Sequence, residues 1–331
     1  MDLVRQAIAD ARRVLVVGHV NPDPDCIGGL LVLTAGLSQL GKASGLILPT
    51  ETVNRKNRFL LQLLDPPGPI DGPDLIVVLE TASKKRINLP KDFRLPEAPI
   101  CNIDHHLANE RFGRFNWVDT GAASTSQMVL HLLRGLEIQI DAVSATLLYA
   151  GLHSDTLGLS LDGTDAAALT AGAELARCGA RIGWVCKKLH RSLSTVEFEL
   201  IQLVYAHTRR SDCGRFAWSW ASFEDLAGIG AKPCDVEEQV AVPRSIEGIK
   251  LAAFFSETKP GTVRINLRAE DRLNILPLAR QLGGGGHAQA AGAVVEGALA
   301  EVMDRVQTLA VAFLDGPEAR QPIALENAHG Q

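Results

Sequence analysis

The sequence predicts an α/β protein: a mostly parallel-sheet amino-terminal domain with helices on both faces, followed by a smaller α/β carboxyl-terminal domain. Three observations carry that expectation. Short apolar β-type runs alternate with helical patterns through the first half, the signature of a parallel sheet. At 331 residues the chain exceeds the size at which a single core keeps growing, so two domains are the default. The pattern then changes near residue 215, where an alternating strand-like run opens a second set of elements.

Composition narrows the class. With 46% hydrophobic and 21% charged residues the chain has enough apolar surface to bury real cores. It contains no run of about 18 uncharged apolar residues, and its start, MDLVRQAIADARR, reads as an amphipathic helix rather than a signal peptide. A cytoplasmic protein without a membrane partner is the expectation. Six cysteines (Cys26, Cys101, Cys178, Cys186, Cys213, Cys234) are scattered without a CxxC pair, against both structural zinc and a disulfide framework. A net charge of −5 disfavours coating of a nucleic-acid duplex but leaves room for a local basic pocket that grips a short phosphate ester. Any nucleic-acid partner is therefore expected to be small.

Residues 13–18 read as a buried strand and 27–40 as a helix that Gly41 ends. In the turn between them His19, Asp23 and Asp25 stand at intervals of four and two, so the backbone can aim all three into one cavity. Imidazole and carboxylate suit Mn²⁺ or a similar divalent ion; an Asn-Pro-Asp-Pro turn would also hold ordinary turn acids with no ion. Residues 44–48 form a second strand, 54–64 a polar helical patch, and 65–73 a Pro-Gly loop. The apolar runs 74–80 and 99–103 are further strands, each with a charged residue at its carboxyl end. Ligands of such sheets sit outside the carboxyl ends of the strands, so Glu80 and the segment Asn102-Ile103-Asp104-His105-His106 become candidates. On an extended segment His105 and His106 point to opposite sides, so that one would ligate while its neighbour faces a substrate oxygen. An apolar helix over 142–153 runs into Asp155. That inventory exceeds one ion; two ions about 4 Å apart, bridged by a carboxylate and a hydroxide, would use most of it and suit in-line phosphoester hydrolysis.

Residues 164–178 and 182–190 read as helices that complete a first domain, 1–190, and 191–212 as a connector helix. A second domain, 213–315, begins with a strand at 215–220, where Trp218 and Trp220 share a side and fit a core better than a base-stacking surface. A helical segment at 235–246, strands at 249–256 and 262–268 and a helix at 273–282 follow. Gly283, Gly284, Gly285 and Gly286 then let backbone N–H groups approach an anion, or else form a flexible loop before the strand 291–295. His287 behind them, with Arg264 and Arg268 on a neighbouring strand, favours phosphate recognition. Residues 316–331 lack periodicity and read as a flexible tail.

These residues resemble a known family. HVNPDPD with Gly28 and Gly29, the acid of VVLETAS, the Asp-His-His of NIDHHLAN and the Asp of GLHSDTLGL look like the four ordered motifs of the DHH phosphoesterases. ASTSQMVLHLL (123–133) resembles the helix after the DHH motif, and GGGGHAQAAG (283–292) the glycine-rich signature of the companion DHHA1 domain. The resemblance implies one ion held by His19 and Asp23, a second by Asp25, His105 and Asp155, and Glu80 bridging them. Mn²⁺ is the first choice of metal, Mg²⁺ the second. It further implies that Asp104 orients a histidine, unless it merely caps the turn, and that His106 contacts the scissile phosphate or the leaving oxygen. Arg268, Gly284, Gly285, Gly286 and His287 would hold substrate phosphate, with the substrate in a cleft between the domains. Two departures stand out: Glu80 where the family usually has Asp, and Leu157 where relatives commonly have Gly.

By length and motif combination the chain is most similar to the branch of small oligoribonucleases and 3′,5′-bisphosphonucleotide phosphatases. The implied substrate is very short single-stranded RNA, or a nucleotide such as pAp, with a homodimer as the assembly to test for. A cyclic or linear dinucleotide substrate is the alternative within the same chemistry. A non-catalytic nucleotide-binding protein with a degenerate metal site is the alternative outside it.

Overall fold

The computed structural model describes residues 1–331 except 66, 162–163, 233–234, 237–238, 272, 287, 318 and 320–331. Cys234 and most of the tail 316–331 thus lie outside the described residues. The chain forms two compact units, residues 1–192 and 193–331.

In the first unit, helix α1 (Asp2–Asp10) leads into β1 (Arg13–Val17), α2 (Pro24–Gln39) and β2 (Ala43–Ile47). Strands β3 (Leu75–Leu79), β4 (Ile100–Asp104) and β5 (Phe115–Val118) follow, then helices α3 (Thr125–Gly135), α4 (Ala142–Asp155), α5 (Ala166–Arg177) and α6 (Ile182–His190). The five strands make an all-parallel sheet in the order β2-β1-β3-β4-β5. RVLVV and LIVVL are continuous apolar runs because the central strands are buried on both faces. The short β5, FNWV, is only half-buried, and no sequence pattern announced it.

The helices gather on one face of this sheet, packed against Val14, Val16, Val77 and Leu79. The opposite face, Leu15, Val17, Ile76 and Val78, is covered by irregular chain carrying Leu89, Phe93, Leu95 and Ala98, where helices were expected. Pro90, Pro96 and Pro99 punctuate that chain and deny it a helical hydrogen-bond ladder. The polar patch expected at 54–64 forms a 3-10 helical turn, Arg55–Gln62.

Helix α2 begins three residues earlier than its apolar pattern indicates. Asp23 caps it by accepting from Cys26 N–H (2.9 Å), and Pro24 occupies the first helical position, where its missing N–H costs nothing. Asp25 therefore stands on the first turn of a buried helix. Two glycines let α2 and α4 touch backbone to backbone. A Cβ on Gly28 would sit 2.5 Å from Leu147 O, and one on Gly151 would sit 2.5 Å from Asp25 Oδ1 and overlap Ser126 Oγ.

The second unit holds α7 (Thr195–His207), β6 (Arg209–Arg210), β7 (Phe216–Ala221), α8 (Phe223–Gly228), α9 (Ala241–Arg244), β8 (Leu251–Lys259), β9 (Thr262–Ala269), α10 (Leu276–Gln281), β10 (Gly285–Gly286), β11 (Ala290–Glu296) and α11 (Leu299–Asp315). Its sheet runs β10-β11-β9-β8-β7-β6, antiparallel except for the β7–β8 pair. Helix α7 buries Leu200 and Val204 against Ala217, Ala221 and Phe254, so it is part of this core. Phe216, Trp218 and Trp220 face the other core, which α11 closes with Val302, Val306 and Phe313. Among the described residues of the expected helical segment 235–246, only Ala241–Arg244 are α-helical, and Pro243 sits inside that turn. Among the described residues, no helix is long and apolar enough to cross a membrane.

The α2–α4 contact makes a stability prediction. Gly151→Ala should destabilise the protein by about 1–3 kcal/mol through overpacking. Urea denaturation checks it; an unchanged midpoint would show that the two helices can part without cost.

Candidate active site

The carboxyl edge of the first sheet collects the acids and histidines singled out above. Asp25, Glu80, His105 and Asp155 each place a ligand atom within 4.8 Å of the others, and Glu80, His105 and His106 form a second, overlapping set. His19 Nε2 and Asp23 Oδ1 lie 4.0 Å apart.

Local folding explains each position. Asp25 is held by the amino terminus of α3: Thr125 N–H donates to Oδ2 (2.7 Å) and Ser126 N–H to Oδ1 (2.8 Å), where the helix dipole favours an anion. Glu80 follows β3 with φ of 52°, a left-handed conformation costing about 1–3 kcal/mol in a non-glycine residue. Its N–H donates to Ile103 O (3.0 Å) and its Oε2 accepts from the Thr125 hydroxyl. The remaining oxygen, Oε1, lies 3.4 Å from His105 Nε2 and 3.3 Å from His106 Nδ1. Asp155 is the last residue of α4, and its Oδ2 is 3.3 Å from His105 Nε2.

The expected opposition of the two neighbouring histidines is not found. Strand β4 ends at Asp104 and the chain turns there, so the rings of His105 and His106 lie edge to face at 4.8 Å and both approach Glu80. Asp104 organises that turn. Its Oδ1 accepts from the N–H of His105 (2.9 Å) and from Nδ1 of His106 (2.8 Å), and its Oδ2 accepts from Asn109 Nδ2 (2.5 Å).

Backbone carbonyls select the histidine tautomers. His19 Nδ1 lies 2.8 Å from Val20 O and His105 Nδ1 lies 3.2 Å from Ala122 O. With its proton on Nδ1, each neutral ring turns a bare Nε2 lone pair towards carboxylate oxygens. Lone pair facing lone pair is repulsive unless a cation or a proton lies between them. The titration behaviour of the metal-free site says the same. Burial, and then the charge of Asp23, raise Asp25; burial raises Glu80 to about 8; burial, and then the charge of Asp25, raise Asp155. Burial opposes protonation of His105, but hydrogen bonds to Asp155 and Glu80 and nearby negative charge push it up to about 12. A divalent cation would replace those protons, and the imidazole and carboxylate donors suit one. The residues present fit a metal.

Asp104 differs from these acids. Burial alone would raise it, but hydrogen bonds from His106 and Asn109 outweigh burial and lower it, so it stays ionised. His106 is correspondingly raised, first by its hydrogen bond to Asp104.

In the second unit Arg264, Arg268, Gly284, Gly285 and Gly286 line an open concavity of about 570 Å³ with Gly292 and Ala291. The glycine run is ordered by pairing: Gly285 and Gly286 oppose Gly292 and Ala291, and a Cβ on Gly284 would collide with Gly292 O. His287 lies outside the described residues. Leu157 takes φ of 45° in the turn after α4, so the left-handed turn that glycine would favour persists with leucine, its side chain exposed.

The sequence is matched by the model of the DHH family, N-terminal domain, over residues 13–152, and by that of the DHHA1 domain over residues 226–315. The chain belongs to the DHH/DHHA1 family. As a family member it is a phosphoric ester hydrolase. It is 29% identical over 299 residues to the bifunctional oligoribonuclease and PAP phosphatase NrnA of Thermus thermophilus, covering 86% of this chain and 84% of that one. The NrnA of Bacillus subtilis is 28% identical over 289 residues, covering 85% and 89%. Among solved structures, an exopolyphosphatase-related protein from Bacteroides fragilis shares the fold with a TM-score of 0.79 at 21% identity, over 94% of this chain and 95% of the other. The exonuclease RecJ bound to manganese superposes with a TM-score of 0.54 at 14% identity, over 98% and 96%.

Thr125, Ser126 and Asn109 are the site residues that motif reading passed over. The signal for Thr125 and Ser126 was present as a helix-start pattern, Ser124-Thr125-Ser126-Gln127, in which Ser124 accepts from Gln127 N–H.

The raised groups set a pH dependence. Glu80 moves from 4.5 to about 8 on folding, so its stabilising contribution is complete below pH 4.5 and lost as pH rises through 8. Asp25 and Asp155 shift in the same direction, and His105, raised from 6.5 to about 12, also contributes less as pH rises. The melting temperature of the metal-free protein should therefore fall between pH 5 and 9, while the increase caused by Mn²⁺ grows across that interval. Differential scanning fluorimetry with and without Mn²⁺ checks both trends. A Mn²⁺ effect that shrinks with rising pH would contradict the assigned cluster.

Proposed function

We propose that this DHH-family hydrolase cuts very short RNA oligonucleotides to mononucleotides and also dephosphorylates 3′,5′-bisphosphonucleotides, using two divalent ions, Mn²⁺ by preference. The observation that carries this reading is the group Asp25, Glu80, His105 and Asp155, adjoined by the pair His19 and Asp23. The first four would hold one ion, with Glu80 shared towards a second at His19 and Asp23. Ions there would acidify an attacking water and offset the charge that develops on the phosphoryl oxygens. The NrnA relatives, named for both activities, support the substrate class.

The chain's own groups supply the remaining steps. Thr125 and Ser126 fix Asp25, and the Thr125 hydroxyl takes up one oxygen of Glu80, so the longer arm of this residue still delivers the other oxygen to the cluster. His106, its Nδ1 proton engaged by Asp104, keeps Nε2 for a phosphoryl or leaving oxygen; 44% of its side chain is exposed, as a substrate contact requires. Arg268 with Gly284, Gly285, Gly286 and His287 would anchor a nucleotide phosphate in the second unit.

Asp25→Ala and His105→Ala are each expected to reduce Mn²⁺-dependent release of mononucleotide from a labelled RNA dimer to background. Glu80→Asp should retain turnover. Calorimetric Mn²⁺ titration of the same folded variants separates loss of metal from loss of chemistry, and undiminished turnover in both alanine variants would sink the assignment.

A further inference from the structure

The 33 lysines and arginines are unevenly spread along this acidic chain. Residues 52–64, 81–91 and 175–192 hold twelve of them and no aspartate or glutamate. All three stretches belong to the first unit, and hydrogen bonds and a ring contact link them one to the next beside the candidate metal cluster.

The turn Lys84–Arg86 leaves the sheet shortly after Glu80. Its backbone is tied to the His19 loop, with Val20 N–H donating to Arg86 O (2.9 Å) and Asn88 N–H to Gly18 O (2.8 Å). Asn88 Nδ2 then donates to Thr52 Oγ1 (2.7 Å), which links that turn to the segment entering Arg55–Gln62. This helical turn meets α6 through an edge-to-face contact of Phe59 with Trp184, ring centres 5.3 Å apart. Arg181 and Lys188 lie over the same indole, 4.4 and 5.9 Å from its centre, so the ring fixes where their charge is held. Helix α6 ends at His190, whose Nε2 is 2.7 Å from Nε2 of His153, two residues before Asp155. The band thus leaves the cluster at the His19 side and returns to it at the Asp155 side.

We propose that this band is a track for the phosphates of single-stranded RNA longer than a dinucleotide. The proposal rests on the phosphoesterase reading and adds the length of substrate that the site is built to hold. Lys84, Lys85, Arg86 and Lys187 are exposed; the Glu110 carboxylate, which accepts from the Ser83 hydroxyl beside them, offsets one of their charges, and a polyanion laid along the rest releases counterions, so affinity grows with each phosphate that reaches the band. A lipid surface would call for apolar side chains that insert beside the cations. Among the described residues, none of the large exposed hydrophobics falls within these stretches.

The test uses the full chain without metal, so that binding is read apart from turnover. Fluorescein-labelled oligouridylates of two and eight nucleotides are titrated by anisotropy against Lys84→Gln/Lys85→Gln/Arg86→Gln, against Lys187→Gln/Lys188→Gln, and against a control, Arg5→Gln/Arg12→Gln, at the amino edge of the sheet. Circular dichroism and melting temperature confirm that each is folded. The triple variant should weaken octanucleotide binding by roughly ten-fold and flatten its salt dependence by about two phosphates, at about 0.7 per phosphate for a single strand. The dinucleotide should lose no more than about two-fold, and the control should bind both as the parent does. Unchanged octanucleotide affinity in both track variants overturns the proposal, as does an equal loss in the control. If affinity is unchanged but binding to phosphatidylserine vesicles is lost, the band serves a lipid surface and the proposal also falls. Hydrolysis of both RNAs with Mn²⁺ is measured alongside. A parent protein that cleaves neither while the binding differences hold defeats the substrate reading and leaves the anion track standing.

Discussion

Concentrated negative charge in a buried place is the constraint on which the first unit depends. Three carboxylates, Asp25, Glu80 and Asp155, converge with His105 where water is largely excluded, and with Asp23 close enough for its charge to be felt. Like charges in a low-dielectric site repel strongly. Protons relieve the repulsion in the metal-free protein, at the expense of raised acids and a raised imidazole. A divalent cation relieves it without protons, which is why the same arrangement is poor as a salt-bridge network and good as a metal site.

Holding such a cluster together requires structure that does not yield. The amino terminus of α3 grips both oxygens of Asp25, and its Thr125 hydroxyl grips Glu80, so one helix end fixes carboxylates from two different elements. Gly151 lets α4 pass against Asp25 so closely that a methyl group would displace it, and the end of the same helix delivers Asp155. The strained backbone of Glu80 is sustained by the same contacts, since its N–H is bonded to β4 and its carboxylate to α3.

Much of this was legible in the sequence. Alternating apolar runs announced four of the five parallel strands, and the acids at their carboxyl ends announced the site, because chain direction alone brings such ends to one edge. What escaped was tertiary. Asp25 reads as a turn residue until Asp23 and Pro24 are recognised as a cap and a first helical position. His105 and His106 read as opposed until β4 is seen to end at Asp104. Phe115–Val118 is too short and half-buried to show a period, and α11 was passed over although its apolar residues, Val302, Val306, Ala310 and Phe313, recur at helical spacing. Expecting helices on both faces of the sheet assumed that every connection was helical, and the proline-rich chain between β3 and β4 is not.

Charge of both signs at one edge of one sheet gives the site its directionality. A metal cluster rich in carboxylate repels a polyanion unless cations cover the approach, and the net charge of −5 means that the whole-protein field does not provide them. The cations of Arg55–Gln62 and Lys84–Arg86 sit on chain that leaves the carboxyl ends of β2 and β3, and those of α6 are joined to them through the contact of Trp184 with Phe59. His19, Asp25 and Glu80 are buried, whereas Lys84, Lys85 and Arg86 are exposed. On the proposed reading, a phosphate chain arriving along the exposed side would meet attraction first and the candidate site next. On the same reading, substrate length would be set by surface residues of the first unit while the buried cluster stays unchanged.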